Sequence, residues 1–415
     1  MPAATVSDGR SGILRKPSEQ AIRAYLEMLA AGLGQEINVD ALIGSRLHAA
    51  EFWMPNKCNL RCRHCYVNTH AEEHVMDPEM YASLVTQLID ESGIVDILIP
   101  GMEPLMAPKH AEAVIRAASG ARSIGMVTNG TLIGSQIDWL ETVPLTVVNV
   151  SLDGPSIIHN SIRGRHAFER SVAGIALLRT RRPDVRLITN TTTMHSNKDA
   201  LVETARIADD LGCDFSAFHP YEWSVQSTHA LALSPKKIAD AYEQLIEGFL
   251  RQHLGSMVLE FDGSTFGALL ELCARGVLDN MHLREDGRGW LFLAMEISGR
   301  ELLVNLMGYP RHNVHTIRVT ENGGLSSCRH MALTVGWRGM GNLRASSLHE
   351  LLASPGVRAD TAHHWTEFRD AIAAASPAGI TRLHERLHEH LNIAHRGSPY
   401  LDAQHVISSA TSLRR

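Results

Sequence analysis

The sequence has little of several features that mark common classes of protein. Its 415 residues include only six cysteines, three of them packed closely together, which excludes a disulfide framework as the basis of the fold. The formal net charge of −6 leaves no basic excess, so we expect no nucleic-acid partner. No run of about 18 uninterrupted apolar residues occurs, so we also expect no membrane span.

The N-terminal segment, from Met1 to about Pro17, is polar and lacks the apolar stretch of a secretory signal peptide. Together with the cysteine usage, this composition predicts a cytoplasmic protein. Hydrophobic residues make up 44% of the chain, which is enough to bury the core of one large domain and a smaller one.

Short apolar runs rich in Val and Ile alternate with stretches of helical spacing. These runs lie near 49–54, 95–100, 123–128, 146–152, 187–193 and 215–219. Continuous apolar strands that alternate with helices predict a parallel sheet buried on both faces, and six such units predict an α/β partial barrel, (β/α)6. In such folds, binding sites collect beyond the carboxyl ends of the strands.

The strand–helix rhythm changes after about Gly255. Strand-like and turn-like pieces follow, then a helix from about Ser347 to Ala353, and then a helical tail rich in histidine. The predicted segments are an N-terminal helical segment (1–44), the partial barrel (45–254), a smaller α+β domain (255–356) and the tail (357–415).

Cys58, Cys62 and Cys65 lie in one loop just after the first predicted strand. Thiolates are the natural ligands of iron–sulfur clusters, and three of them leave the fourth iron of a [4Fe–4S] cluster open to a substrate or cofactor. The alternative is a structural zinc site, but structural zinc takes four ligands, and His64 is poorly placed as the fourth because it adjoins Cys65.

The spacing C-x-x-x-C-x-x-C, followed by the aromatic Tyr66, resembles the signature of the radical S-adenosylmethionine (SAM) superfamily, and the resemblance continues to about residue 222. It implies a [4Fe–4S] cluster on the three cysteines and SAM as cofactors. It also implies reductive cleavage of SAM to a 5′-deoxyadenosyl radical, with an external electron donor such as flavodoxin or ferredoxin.

Two further motifs carry this resemblance. Gly101-Met102-Glu103-Pro104 looks like the family's G-G-E-P, whose Glu and backbone bind the methionine amino group, although Met102 replaces the second glycine. Ser151-Leu152-Asp153-Gly154, with His159 and Arg163-Gly164, is similar to S-x-D-G…H-x-x-x-R-G. By resemblance, Ser151 and Arg163 hold the methionine carboxylate and Asp153 lies near the ribose. The other implied SAM contacts are Gly101, Met102, Thr128, Asn129 and Thr193, with His64 and Tyr66 beside the adenine.

The C-terminal half is similar to the SPASM or twitch extension of some radical SAM enzymes, in which a hairpin ends in a cysteine and a G-N-L…S-L-x-E-L-L helix follows. Those extensions bind auxiliary clusters. Only Cys213, Cys273 and Cys328 remain here, whereas a cluster held by cysteines alone needs four thiolates. We therefore expect the extension without its clusters, or at most one cluster with a non-cysteine ligand.

An auxiliary cluster would accept the second electron of an oxidation, so its absence favours a redox-neutral reaction. We predict epimerisation of a sugar or aminocyclitol unit in natural-product biosynthesis, with a thiol that returns the hydrogen atom. Cys328 is the first candidate for that thiol and Cys273 the second. The alternatives are a maturase that modifies a ribosomal peptide, a dehydrogenase with an auxiliary cluster, and a non-catalytic or zinc-binding scaffold.

A competing motif lies in the tail. His384-Glu385-Arg386-Leu387-His388 matches the zinc-protease signature H-E-x-x-H, and its histidines would share one face of a helix. No G-x-x-H follows, and no sheet is predicted nearby to form a cleft. A solvated helix face is the default interpretation in a chain with 23 histidines.

Overall fold

The computed structural model describes residues 14–32, 49–55, 57–65, 75–221, 229–261, 265–286, 290–306, 316–326, 341–375 and 377–389. Its strands are β1 (Ala49–Phe52), β2 (Asp96–Ile99), β3 (Ser123–Thr128), β4 (Val147–Ser151), β5 (Arg186–Thr193), β6 (Phe215–Pro220), β7 (Met257–Leu259), β8 (His282–Glu285), β9 (Leu291–Ile297), β10 (Arg300–Asn305), β11 (Thr316–Val319) and β12 (Leu325–Ser326). The helices are α1 (Glu19–Gly32), α2 (Pro78–Ser92), α3 (Pro108–Ala117), α4 (Ile133–Leu140), α5 (Ser156–Arg163), α6 (Ala167–Arg181), α7 (Leu201–Asp210), α8 (Pro235–Leu250), α9 (Phe266–Ala274), α10 (Leu348–Leu352), α11 (Pro355–Ala373) and α12 (Pro377–Glu389).

The strands form one mostly parallel sheet in the order β12-β11-β1-β2-β3-β4-β5-β6-β7-β10-β9-β8. The predicted α/β partial barrel is confirmed, and its six strands all form within a residue or two of their predicted positions. Three further strands, β7, β10 and β11, join the six predicted ones in parallel. β7 has only three residues and gives little periodic signal.

The strands after residue 280 join both edges of this sheet. β10 pairs with β7, and β11 pairs with β1, each in parallel. β8, β9 and β12 extend the two edges in antiparallel pairings. The division of the chain into four segments stays a prediction.

Each parallel strand separates two apolar layers. Val148 and Val150 of β4 pack in the core that the sheet shares with helices α2 to α4. Val147 packs on the opposite face, in a cluster with Ile188 and Phe292. Because side chains alternate along a strand, Ser151 at the end of β4 lies on the Val147 face, so this face presents polar groups at its carboxyl edge.

Helix ends follow the capping residues in the sequence. Ser18 accepts a hydrogen bond from the Ala21 N–H at the start of α1. α10 begins at a capping box of Ser347 and Glu350, as its predicted bounds require. Among the residues that the structure describes, no helix is long and apolar enough to cross a membrane.

Candidate active site

The loop after β1 carries the three clustered cysteines across the carboxyl edge of the sheet. Backbone hydrogen bonds fix it on two sides: the Glu103 N–H donates to the Lys57 carbonyl at 3.1 Å, and the Arg63 N–H donates to the Ile162 carbonyl at 2.9 Å. The Cys65 N–H closes a turn onto the Cys62 carbonyl at 3.1 Å. The loop is therefore anchored both to the end of β2 and to the end of α5.

The three thiols face one cavity. Its described lining residues are Trp53, Cys58, Cys62, His64, Cys65, Pro100, Gly101, Met102, Glu103, Val127, Thr128, Asn129, Ser151, Arg163, Thr192, His219, Pro220 and Tyr221. They come from the ends of β1 to β6, where sites in parallel α/β folds are expected. The sequence motifs, spread over 170 positions, thus meet in one place.

The three thiols differ in exposure. Cys58 and Cys62 are half-buried and Cys65 is exposed. Burial raises the pKa of Cys62 to about 11 and also raises the pKa of Cys58, so iron binding must displace protons. In the described part of the chain, no three His, Cys, Asp or Glu side chains are grouped to hold one metal ion. Three thiols in one loop suit a [4Fe–4S] cluster, for which cysteine thiolates are the usual ligands.

Glu103 follows β2 and has its carboxylate buried at the cavity wall, with 1% of the residue exposed. The carboxylate accepts hydrogen bonds from Thr128 Oγ1 at 2.7 Å, from the Asn129 N–H at 2.8 Å and from the Leu105 N–H at 3.1 Å. Burial raises the pKa of Glu103, and these bonds oppose the increase. An ionised carboxylate has about four acceptor positions, so one remains for a cationic ligand.

Gly101 and Met102 line the same wall beside Glu103. Neither has a positive φ, and the peptide bond that joins them is cis. The methionine therefore occupies the second position of the motif without the left-handed backbone that would favour glycine.

Asp153 and Arg163 form a buried ion pair behind the cavity. Arg163 Nε donates to Asp153 Oδ2 at 2.6 Å, and the two side chains are 7% and 0% exposed. Burial acts to raise the pKa of Asp153, but the Arg163 guanidinium outweighs it and holds that pKa well below its ordinary range. Arg163 lines the cavity, and its Nη2 is buried without a hydrogen-bond partner in the described structure.

Two neutral imidazoles also line the cavity. Burial lowers the pKa of both His64 and His219 to about 4. His219 Nε2 is 2.9 Å from Thr192 Oγ1, and its Nδ1 is buried with no partner among the described residues. His219 and Pro220 end β6.

Asp153 and Thr193 do not line the cavity, in contrast to the contacts that the family resemblance implies for them. Thr192 lines it instead of Thr193, because neighbouring residues of a strand point to opposite faces. Trp53 and Tyr221 are lining residues that sequence reasoning missed. Tyr66 and Cys328 lie outside the described residues.

The other predicted candidates lie away from this cavity. Cys273 is buried in the core between α9 and its neighbouring helices, and Cys213 is half-buried before β6. Burial raises the pKa of each to about 12. In the H-E-x-x-H segment, Glu385 is exposed and Leu387 is buried in the core, as expected for a helix that packs on the protein through its apolar face.

Comparisons with known proteins find relatives of the part of the chain that carries the cysteine loop. Residues 54–208 match the profile of the Radical SAM superfamily. Pre-heme d1 synthase from Dinoroseobacter shibae is 28% identical over 166 residues, which make up 39% of this chain and 40% of that enzyme. GTP 3′,8-cyclase 1 from Mycobacterium tuberculosis is 24% identical over 282 residues, which make up 62% of this chain and 77% of that enzyme.

The fold is likewise similar to a solved structure of this class. Streptococcus suis SuiB, bound to the precursor peptide SuiA, matches with a TM-score of 0.59 at 14% sequence identity, over 82% of this chain and 70% of that one.

The cysteine loop lies inside the segment that matches the family. Residues 54–208 therefore carry a radical SAM domain, whose cofactors are a [4Fe–4S] cluster and SAM.

Proposed function

We propose that Cys58, Cys62 and Cys65 hold the [4Fe–4S] cluster and that SAM binds in the cavity beside it. The observation that carries this proposal is the meeting of three thiols with a buried carboxylate and a buried guanidinium on one cavity wall. The spare acceptor position of Glu103 suits the ammonium of SAM, and Arg163 Nη2, which has no partner, suits its carboxylate. Ser151, at the end of β4, also lines this cavity.

The adenine would lie near His64 and Tyr66, with Gly101, Met102, Thr128 and Asn129 along the methionine. His64 stays neutral at physiological pH because burial lowers its pKa, so it offers a flat apolar face with a polar edge. When bound, the cluster would supply the electron for reductive cleavage of SAM, and SAM would supply the deoxyadenosyl group for hydrogen abstraction.

We propose a redox-neutral outcome, epimerisation, for the substrate. The support is the small number of cysteines outside the loop, which is below the four that a cysteine-only auxiliary cluster requires. A thiol would donate a hydrogen atom to the opposite face of the substrate carbon. The sulfur radical left behind would be restored by one electron from the external donor and one proton, so two electrons are consumed per turnover, one of them to cleave SAM.

Cys328 remains our candidate for that thiol. Cys213 and Cys273, the other two cysteines outside the loop, do not line the cavity. A hydrogen-atom donor must lie close to the carbon it serves, since positioning governs such transfers. Cys273 is therefore no longer the second candidate for the hydrogen-atom donor.

The substrate that we propose is a sugar or aminocyclitol unit. Apart from Glu103 and Arg163, which we assign to SAM, the described residues that line the cavity carry no carboxylate, ammonium or guanidinium group. Neutral groups such as His219 Nδ1 and Thr192 Oγ1 remain on the β6 side, where they suit a polar substrate rich in hydroxyl groups.

A ribosomal peptide is the second candidate, because the structural match SuiB binds a precursor peptide and a peptide main chain is also neutral and polar. A dehydrogenase with an auxiliary cluster would need ligands beyond the cysteines. Measuring the mass of the product decides among these reactions, because epimerisation leaves the mass of the substrate unchanged and dehydrogenation lowers it by two hydrogen atoms.

The electron donor that we propose is a small acidic protein such as flavodoxin or ferredoxin. Lys57, Arg61 and Arg63 are exposed around the cysteine loop, and none of them has a carboxylate partner among the residues that the structure describes. Arg61 instead donates to the Cys58 and Leu60 carbonyls. In a chain of net charge −6, this local positive surface favours an acidic partner.

The first test is anaerobic reconstitution followed by iron analysis and reduction with dithionite in the presence of SAM. Wild-type protein should hold close to one [4Fe–4S] cluster, about four irons, and should form 5′-deoxyadenosine. The triple Cys58→Ala, Cys62→Ala, Cys65→Ala variant should do neither, whereas Cys213→Ala should do both. A stable wild-type content near eight irons would refute the single-cluster proposal.

A further inference from the structure

Asp153 is buried on every side. The residue is 0% exposed. Its Oδ2 accepts from Arg163 Nε at 2.6 Å, and its Oδ1 accepts from the Thr192 N–H at 3.0 Å. The main chain of Asp153 is fixed as well. The Asp153 N–H donates to His159 Nδ1 at 3.1 Å, and the Asp153 carbonyl accepts from Asn197 Nδ2 at 2.9 Å. These contacts join the end of β4 to β5 and α5.

Arg163 lies between this carboxylate and the cavity. Its Nε is committed to Asp153, while Nη2 is buried and has no hydrogen-bond partner in the described structure. An arginine has many rotamers, and only a fixed guanidinium can present two nitrogens to a carboxylate in the paired geometry. A single bond on Nε restrains the plane of the group and leaves its far end available.

We propose that Asp153 is a positioning residue: it fixes the Arg163 guanidinium so that its outer nitrogens meet the carboxylate of SAM, and it does not contact the ribose. This inference rests on the proposed assignment of Arg163 to that carboxylate. Two observations separate it from a ribose contact. Asp153 is absent from the cavity wall, and both of its carboxylate oxygens already accept hydrogen bonds within the protein.

The charge balance of the site supports the same role. Without Asp153, the buried guanidinium of Arg163 would lose its carboxylate partner, and the SAM carboxylate alone would have to fix its orientation on binding. Ordering a long side chain at the moment of binding reduces affinity. Removal of Asp153 should therefore affect the same ligand group that Arg163 recognises and no other.

The test is a double-mutant cycle of Asp153→Asn, Arg163→Gln and the double variant on cluster-loaded protein. Binding of two ligands, SAM and decarboxylated SAM, is measured by anaerobic calorimetry. Each single variant should bind SAM about tenfold or more weakly, because a charge-assisted bond is lost. The double variant should be no weaker than the weaker single variant, since Asp153 acts only through Arg163.

The ratio of the two affinities identifies the ligand group that is affected. Wild-type protein should prefer SAM over its decarboxylated form, and Asp153→Asn should reduce this preference as much as Arg163→Gln does. If Asp153 contacted the ribose, Asp153→Asn would weaken the binding of both ligands equally. The loss of SAM affinity in the double variant would then be the product of the losses in the two single variants. Either result overturns the proposal. Full preference retained in Arg163→Gln would instead refute the carboxylate assignment.

Cluster content and thermal unfolding of each variant control for folding. If Asp153→Asn does not yield folded protein, Arg163→Lys replaces it. A lysine held by Asp153 has no second nitrogen group for the ligand, so the preference for SAM should fall as in Arg163→Gln. A lysine that Asp153 does not hold would keep its charge available to SAM and retain the preference, which would overturn the proposal.

Discussion

Replacing Glu103 by Gln gives the sharpest test of how the cavity recognises a cation. The carboxylate accepts three hydrogen bonds inside the protein, two of them on Oε1 and one on Oε2. Glutamine keeps an oxygen for the Thr128 and Leu105 bonds but places an NH₂ group opposite the Asn129 N–H. One buried donor then loses its acceptor, which costs about 1–3 kcal/mol of folding stability.

Glu103→Gln should weaken SAM binding more than it lowers the folding stability. Loss of a charge-assisted bond to the ammonium costs about 1.5–3 kcal/mol, which corresponds to about 10- to 150-fold weaker binding. Calorimetry on cluster-loaded Glu103→Gln, beside thermal unfolding of the same protein, separates the two effects. The matched control is Glu112→Gln, on the surface of α3, where the carboxylate pairs only with Arg116 and both quantities should stay near wild type.

The pH dependence supplies a second signature of Glu103. Burial raises its pKa, so the carboxylate takes up a proton above the range in which an ordinary glutamate does. Wild-type affinity for SAM should therefore fall on mild acidification, and Glu103→Gln should lack that component because it has no titrating group. SAM affinity within twofold of wild type in Glu103→Gln, with an intact cluster, would refute the assignment.

Three other predictions concern stability, electron entry and the hydrogen donor. Burial lowers the pKa of His159 to about 4, so between about pH 4 and 6.5 the unfolded chain binds a proton that the folded chain does not. The free energy of unfolding must therefore rise with pH in this range. In denaturant unfolding, His159→Gln should show a smaller increase of this free energy with pH, and an unchanged increase would contradict the prediction. Arg61→Glu with Arg63→Glu should slow cluster reduction by reduced flavodoxin about tenfold at low salt and leave reduction by dithionite unchanged. Arg251→Glu, just after the end of α8, should alter neither rate, and equal rates in all proteins would refute the proposed donor surface. In deuterated water the wild-type product should carry one deuterium at the altered carbon. Cys328→Ala should still consume SAM but yield no inverted product. A product two hydrogens lighter than the substrate would refute the redox-neutral reaction.

Much of the fold could be predicted because its signals are local. The six predicted strands are apolar runs bounded by turns, and the helices begin at residues such as Ser18 and Ser347 that can cap them. β7 was missed because three residues in a buried strand carry too little pattern. The pairing of β11 with β1 was also beyond sequence reasoning, since nothing local links segments 267 positions apart.

The site shows the same division between local and non-local information. The spacing of the cysteines and the motif order placed Cys58, Glu103 and Arg163 near each other, and the structure brings them to one cavity. Thr193 stays a prediction as a SAM contact; the structure places its neighbour Thr192 on the cavity wall, because a one-residue offset in a strand reverses the side-chain direction. The closed pair of Asp153 and Arg163 was not visible in the sequence, because it depends on how α5 returns over the end of β4.

The parallel pairing of β1 with β11 makes the protein intolerant of shortening from its C-terminal end. β1 leads directly into the cysteine loop, and the Trp53 N–H donates to the Val319 carbonyl at 2.9 Å. A chain that stopped before residue 316 would still contain every motif from the cysteines to β6. Its β1, however, would present an unpaired edge to other molecules, and such edges promote aggregation. During synthesis the same edge stays unpaired until β11 has left the ribosome, so we expect that cluster insertion follows the pairing of β1 with β11.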